Sequence, residues 1–263
     1  MRSIAAAPHI FWAIMFIVLP LIIVAYYALS DGEGGFNLSN LLLLSDYADI
    51  FLLSLELSVI ATFICFLVGY PLAYIIARSK PRTQKLLIML IMLPMWTNLL
   101  IRTYSIMAIF DNGGFLNKLL GTDFHIIGTK GAVIFGMVYD FLPYMVLPIY
   151  TCISKIDKHL WEAASDLGCT PARVITRVIF PLSLSGVISG ITMVFVPSIS
   201  TFYISQKLGG GTFELIGDTI ERQFVTGALN TGAALSLVMM VMILISLTVM
   251  NKFGDSDDGG IVV

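Results

Sequence analysis

Residues able to do chemistry are few in this sequence, and they are scattered. His9, His125 and His159 fall in three separate segments, and neither an HExxH nor a GxSxG pattern occurs. Cys65, Cys152 and Cys169 form no CxxC pair and no zinc-spaced set with histidine, so no metal site is expected. Gly209-Gly210-Gly211 lacks the GK[ST] ending of a phosphate cradle and reads as a flexible turn. What remains is charge in apolar surroundings. Glu56 and Asp140 sit inside long apolar runs, and Arg102 is the basic residue inside another. An Asp at the centre of a membrane helix costs about 2.5–3.5 kcal/mol on insertion scales, so it marks either a solute path or a buried pair. Asp140 reads equally as a path acid and as the partner of Arg102. Glu56 reads as a path acid or as an interfacial residue. The chemistry open to such a set is binding and release of a cation, as in an ion-coupled secondary transporter of a small cationic solute using Asp140 and Glu56. No inverted repeat, the usual mark of such transporters, is evident.

The elements that must position these residues are set by hydropathy. Of 263 residues, 57% are apolar and only 12% charged, with a mean hydropathy of +0.91. A soluble domain carries about twice that charged fraction, which excludes an ordinary cytosolic enzyme. The net charge of -2 excludes a nucleic-acid partner. A bilayer core is crossed by about 20 apolar residues in a helix, and the chain offers six such runs: 10–29, 53–77, 86–110, 131–153, 182–204 and 233–250. The first is longer than a signal-peptide core and is read as a retained span. Pro20, Pro71, Pro94, Pro143, Pro148 and Pro197 interrupt the runs, and membrane helices tolerate them as kinks where neighbours satisfy the freed carbonyls. The fold expected is all-α, a six-helix polytopic bundle. A single transmembrane domain is expected over residues 1–254, with 255–263 as a short acidic tail.

Loop charge gives the orientation. Arg78, Lys80, Arg82 and Lys85 follow the second run, and Lys155, Lys158, Arg173 and Arg177 follow the fourth. The opposite loops carry Asp46, Asp49, Asp111, Glu214, Asp218 and Glu221 among few bases. Positive-inside then places both termini in the cytoplasm. On the outer side, FLNKLL and FELIGDTI are short apolar stretches suited to interfacial helices. With no P-loop in the chain, any use of ATP must fall to another chain.

The most informative segment is the cytoplasmic loop 154–181. Ile156, Leu160, Ala163, Ala164 and Leu167 recur at helical spacing and predict one apolar stripe. Asp157 or Ser154 can cap the start, Gly168 suits a left-handed C-terminal residue, and Thr170-Pro171 reads as a cap followed by a first helical turn. Helix, glycine turn and second helix make a knob, either lying on the membrane surface or docking a soluble partner.

That segment resembles the EAA loop of binding-protein-dependent ABC importer permeases. Glu162-Ala163-Ala164, three residues, Gly168, nine residues and Val178-Ile179-Phe180-Pro181 match the pattern, with Val for Ile and Phe for Leu in its closing I-x-L-P. LVGYPLAY, LPMWTNLLIRTYS, GMVYDFLPYMVLPIY and TFYISQKLGGGTFELIGDTI are similar to stretches of spermidine/putrescine importer permeases, and the likeness is to the B-type of their two permease subunits. The resemblance implies a bundle of the ABC importer permease type in a bacterial inner membrane. It implies a coupling role for Glu162, Ala163, Ala164, Gly168 and Pro181. The partners implied are a second homologous permease, an ATP-binding cassette ATPase dimer that alone holds ATP, and an extracytoplasmic polyamine-binding protein. No catalytic residue and no cofactor of this chain's own is implied. A flexible polycation asks for carboxylates and aromatic faces, so the path candidates are Asp140, Glu56, Trp96, Asn98, Tyr139, Tyr144 and Tyr203, with Tyr104 and Phe202 beside them. Gly186 and Gly190 form a GxxxG that suits close packing, here against the second permease.

Overall fold

The computed structural model describes residues 10–30, 35, 43–111, 113–121 and 125–254. Arg2, His9, Asp31, Glu33, Asp123 and the tail 255–263 lie outside the described residues. Four helices are long and apolar enough to cross a membrane: α1 (Ile10–Ala28), α2 (Ala48–Arg78), α6 (Lys130–Ile153) and α12 (Leu229–Gly254). Two bent pairs raise the number to six. The first joins α3 (Pro81–Trp96) to α4 (Leu99–Phe110), and the second joins α8 (Pro171–Leu182) to α9 (Leu184–Ser200). Short helices α5 (Phe115–Leu120), α7 (Lys158–Asp166), α10 (Tyr203–Leu208) and α11 (Ile216–Val225) complete the chain.

The run 86–110 is therefore not one straight span. The Pro94 carbonyl accepts the Thr97 N–H at 3.2 Å and the Thr97 hydroxyl at 2.7 Å, closing α3. Asn98 then opens α4 by accepting the Leu100 N–H at 2.8 Å, and the two axes diverge by 93°. A hydroxyl and an amide thus replace the backbone bonds that a continuous helix would have supplied. The run 182–204 also differs: it breaks at Ser183, with a bend of 72°, and again at Thr201 and Phe202.

Helices α2, α6 and α9 pack together as the core of the bundle, α12 lies against α1, and α11 bridges to α12. Close approach rests on small residues. A Cβ on Gly190 would lie 2.9 Å from Met145 Sδ, and one on Gly186 2.9 Å from the Pro148 carbonyl. The GxxxG pair is thus used inside the chain, against α6, rather than against a second permease. Buried Ser54, Ser58 and Thr62 repeat every fourth residue on α2, and each hydroxyl donates to the carbonyl one turn back at 2.7–2.8 Å. These hydroxyls are satisfied by their own helix, which makes a polar stripe compatible with a dry interior.

Candidate functional site

The knob at 154–181 forms as the spacing predicts, with two corrections. Asp157 caps α7 by accepting the His159 N–H at 3.0 Å. Gly168 ends the helix at φ +78 and the Cys169 N–H returns to the Ala164 carbonyl at 3.1 Å. This left-handed position favours glycine even though a Cβ there would meet nothing within 4 Å. Thr170 stands before Pro171 in extended backbone but makes no side-chain cap, which is the first correction. The second concerns the apolar stripe. Trp161 and Ala164 are the buried residues of α7, whereas Leu160 and Ala163 are exposed and Leu167 is 85% exposed. The helix seats itself by Trp161 and leaves Leu160, Ala163 and Leu167 facing outward. Glu162 lies on the same helix, and Pro181 lies within α8 just before the bend at Ser183.

The seat of Trp161 comes from the distant end of α2. Its ring stacks on Tyr74 with centroids 5.9 Å apart and planes 24° apart. The Arg78 guanidinium lies 4.9 Å from the Trp161 ring centroid and donates to the Tyr74 hydroxyl at 2.8 Å. A guanidinium over an indole is attracted by the ring quadrupole, so one α2 terminus grips α7 by an aromatic and a cation. Arg78 reads as simple loop charge in the sequence, and no local pattern links it to Trp161.

Asp140 is brought to Arg102. Nη1 of Arg102 lies 2.7 Å from Oδ1 of Asp140, with side-chain exposures of 12% and 1%. The contact is off the hydrogen-bond axis, and neither Asp140 Oδ2 nor Arg102 Nε has a hydrogen-bond partner among the described residues. Such a pair is costly to break from one side, about 3–5 kcal/mol, because a lone buried charge is left behind. Glu56 is instead exposed and lies 3.7 Å from Lys130 at the start of α6.

The remaining candidates are spread over several of the described helices. Trp96 is 71% exposed at the end of α3, and Asn98 serves as the cap of α4. Tyr139 is exposed on α6. Tyr144 lines a groove of about 660 Å³ between α6 and α9, with Thr151, Lys155, Ser185 and Ser189. Tyr203 alone is joined by another path aromatic. Its ring stands edge-on to Tyr104 with centroids 6.2 Å apart, and the Lys207 ammonium lies 5.4 Å from the Tyr104 ring and 5.7 Å from that of Tyr203. Lys207 and Tyr203 share a face of α10 one turn apart. Gly136 lets Ile204 and Leu208 of α10 lie against α6. Phe202 is exposed beside them.

Of the two stretches expected to form interfacial helices, FLNKLL is helical as α5, while FELIGDTI enters its helix only at Ile216. Asp218 fixes the start of α11: Oδ2 accepts the Leu215 N–H at 2.8 Å and Oδ1 accepts the Ser205 hydroxyl at 2.9 Å. Ser54 adds a third tie, its hydroxyl accepting the Ile216 N–H at 2.8 Å. Burial pushes the Asp218 carboxyl up to about 6, against the two donors that lower it, with Glu214 and Glu221 adding to the rise. Glu214, Glu221, Arg222 and Gln206 surround a pocket of about 280 Å³ there, with Arg222 paired to Glu214 at 2.6 Å.

Residues 69–255 match the family described as binding-protein-dependent transport system inner membrane component. The chain is 37% identical over 254 residues to the spermidine/putrescine transport system permease protein PotB of Escherichia coli, covering 89% of this chain and 92% of that protein. It is 35% identical over 260 residues to the protein of the same name from Haemophilus influenzae, covering 92% and 90%. Among solved structures, a bacterial ABC transporter involved in the import of the acidic polysaccharide alginate superposes with a TM-score of 0.82. The identity there is 17%, over 97% of this chain and 95% of that one.

Proposed function

Because the chain belongs to the binding-protein-dependent transport system inner membrane component family, we propose that it is the permease subunit of an ABC importer for polyamines of the spermidine/putrescine kind. The observation that carries this reading is the similarity to two spermidine/putrescine permeases over 89% and 92% of this chain. The chain is a multi-pass membrane transport component and not an enzyme. ATP would be bound and hydrolysed by a separate ATPase, and this chain would hold no cofactor.

The knob supports the coupling role. The outward Leu160, Ala163 and Leu167 offer an apolar face of the kind that docks in a protein cleft. On the opposite side Trp161 ties that face to α2. Glu162, Ala163, Ala164, Gly168 and Pro181 form the coupling segment, with Gly168 setting the turn and Pro181 leading into the bend at Ser183. Closure of the ATPase would push α7, and the push would reach α2 and α9. The basic loops, and with them both termini, lie on the cytoplasmic side in this reading. The substrate-loaded binding protein would dock on the opposite side, where Glu214, Glu221 and the pocket near Asp218 lie.

A polycation would pass along exposed side chains that a second permease closes over. Trp96, Tyr139, Tyr144, Tyr104 and Tyr203 belong to that wall. Glu56 lies near its outer start, and Asn98 shapes it by breaking the helix behind Trp96. Asp140 acts as the fixed counter-ion of Arg102 and holds α4 against α6.

The test is purification of the tagged protein in mild detergent from its native membrane, followed by reconstitution with whatever copurifies. A P-loop ATPase and a second EAA-bearing permease are expected, with putrescine uptake that requires ATP and survives an uncoupler. Uptake driven by an ion gradient without an ATPase would refute the assignment.

A further inference from the structure

Lys207 is set against the rings of two tyrosines and the hydroxyl of Tyr104. Its ammonium sits between Tyr104 and Tyr203 and makes no ion pair among the described residues. Carboxylates are nevertheless close by in sequence and structure, since the adjoining Gln206 donates to Glu221 at 3.2 Å. A half-buried ammonium pointing into hydrocarbon would be costly, so this side of α4 and α10 faces either the water-filled path or a partner. Lysine ends in a primary ammonium on a flexible four-carbon stem. Putrescine ends in the same group on a stem of the same length.

We propose that Tyr104 and Tyr203 form a station for one ammonium of the transported polyamine, and that Lys207 occupies this station as a tethered stand-in when substrate is absent. The inference rests on the polyamine reading above and adds to it a ligand group, two rings and a competitor. The incoming ammonium displaces Lys207, which swings out toward solvent, so the station is never left as two bare rings. The exchange is cation for cation, and the net charge in the path then rises only by the rest of the polyamine. Arg102, two residues from Tyr104 on α4, stays paired with Asp140 and takes no part.

The experiment uses the assembled complex in lipid nanodiscs with its lysines reductively methylated with an isotope label, the Lys207 signal being identified by its loss in Lys207→Arg. In the wild type, ring currents from the two tyrosines should displace the Lys207 methyl signal from the position of a solvated lysine. Adding putrescine should return it to the solvated position, and potassium at equal ionic strength should not. Tyr104→Leu should place it there before any putrescine is added, and Tyr104→Phe, which keeps the ring, should not. Cation–π contacts at exposed sites correspond to about two- to five-fold in affinity. Tyr104→Leu should therefore weaken putrescine binding by about that factor, and Lys207→Met should strengthen it by about two-fold or more. A Lys207 signal that starts at the solvated position, or ignores putrescine in a complex that transports it, overturns the station and leaves the transport assignment standing. Unchanged binding in Lys207→Met does the same. A wild-type complex that takes up no putrescine overturns the substrate and the station's ligand together.

Discussion

Two short amphipathic helices, α7 and α11, are attached to opposite ends of the same helix α2 by opposite means. At the end of α2, α7 is gripped by one indole, stacked on Tyr74 and covered by Arg78. Near its start, α11 is fixed by directional bonds: Ser54 and Asp218 hold its first N–H groups, and Gly217 presses against backbone, where a Cβ would meet the Thr201 carbonyl at 2.6 Å. Stacking tolerates sliding, because its energy changes slowly with lateral offset. Hydrogen bonds into a buried helix terminus do not, since loss of geometry leaves an unsatisfied donor. The difference separates a part built to move while held from a part built to stay in place. Under the proposed function the two ends of α2 would then do different work, with force received at α7 and a fixed platform presented at α11.

The comparison breaks most readily at Trp161. Trp161→Ala should cost about 3–5 kcal/mol in the seating of α7. Amide exchange in α7 should rise, and uptake should fall by about ten-fold or more, with normal insertion in the membrane. Wild-type uptake in that variant would show that α7 has another anchor. Next in size is Gly217→Ala, which should destabilise the docking of α11 by about 1–3 kcal/mol through overpacking, read as faster exchange in α11 and not in α7. Equal exchange changes in both helices would mean that they move as one body. The smallest effect is expected from Asp218. Its carboxyl is raised from 3.8 to about 6 in the folded chain. Between about pH 4 and 6 the folded state keeps a proton that the unfolded state has released, so the hold on α11 weakens as pH rises through that window. Asp218→Asn can keep both bonds, accepting from Leu215 and donating to Ser205, and should flatten this dependence. Exchange in α11 that is independent of pH in the wild type would remove the titrating role.

Hydropathy located the long apolar helices, because a bilayer imposes one length on every span. It could not find the breaks at Asn98 and Ser183, since a polar residue two to four positions after a proline is equally compatible with a kink. The knob was legible as two helices about Gly168, because capping chemistry is local. Its facing was not. Helical periodicity grouped Leu160, Ala163 and Leu167 with Ala164 as one stripe, but which side is covered depends on Tyr74 and Arg78, far away in the chain. The ion pair of Arg102 with Asp140 was one of two readings open from burial alone, and the structure shows the pair. Lys207 was missed for a different reason. It follows the end of an apolar run with no motif around it, while the rings that receive it come from two separate helices, α4 and α10.

The bend at Ser183 has a mechanical meaning. Helices α8 and α9 meet at 72°, and Ser183 is pinned there by a 3.0 Å hydrogen bond to the Tyr70 hydroxyl of α2. Two rigid arms joined near a right angle about a pinned corner form a bell crank. A thrust along α8 would carry little translation into α9 and would turn instead into tilt about the corner. The far end of α9 leads to Tyr203. A small stroke of α8 would therefore become an angular sweep at the Tyr203 end, amplified by the length of α9.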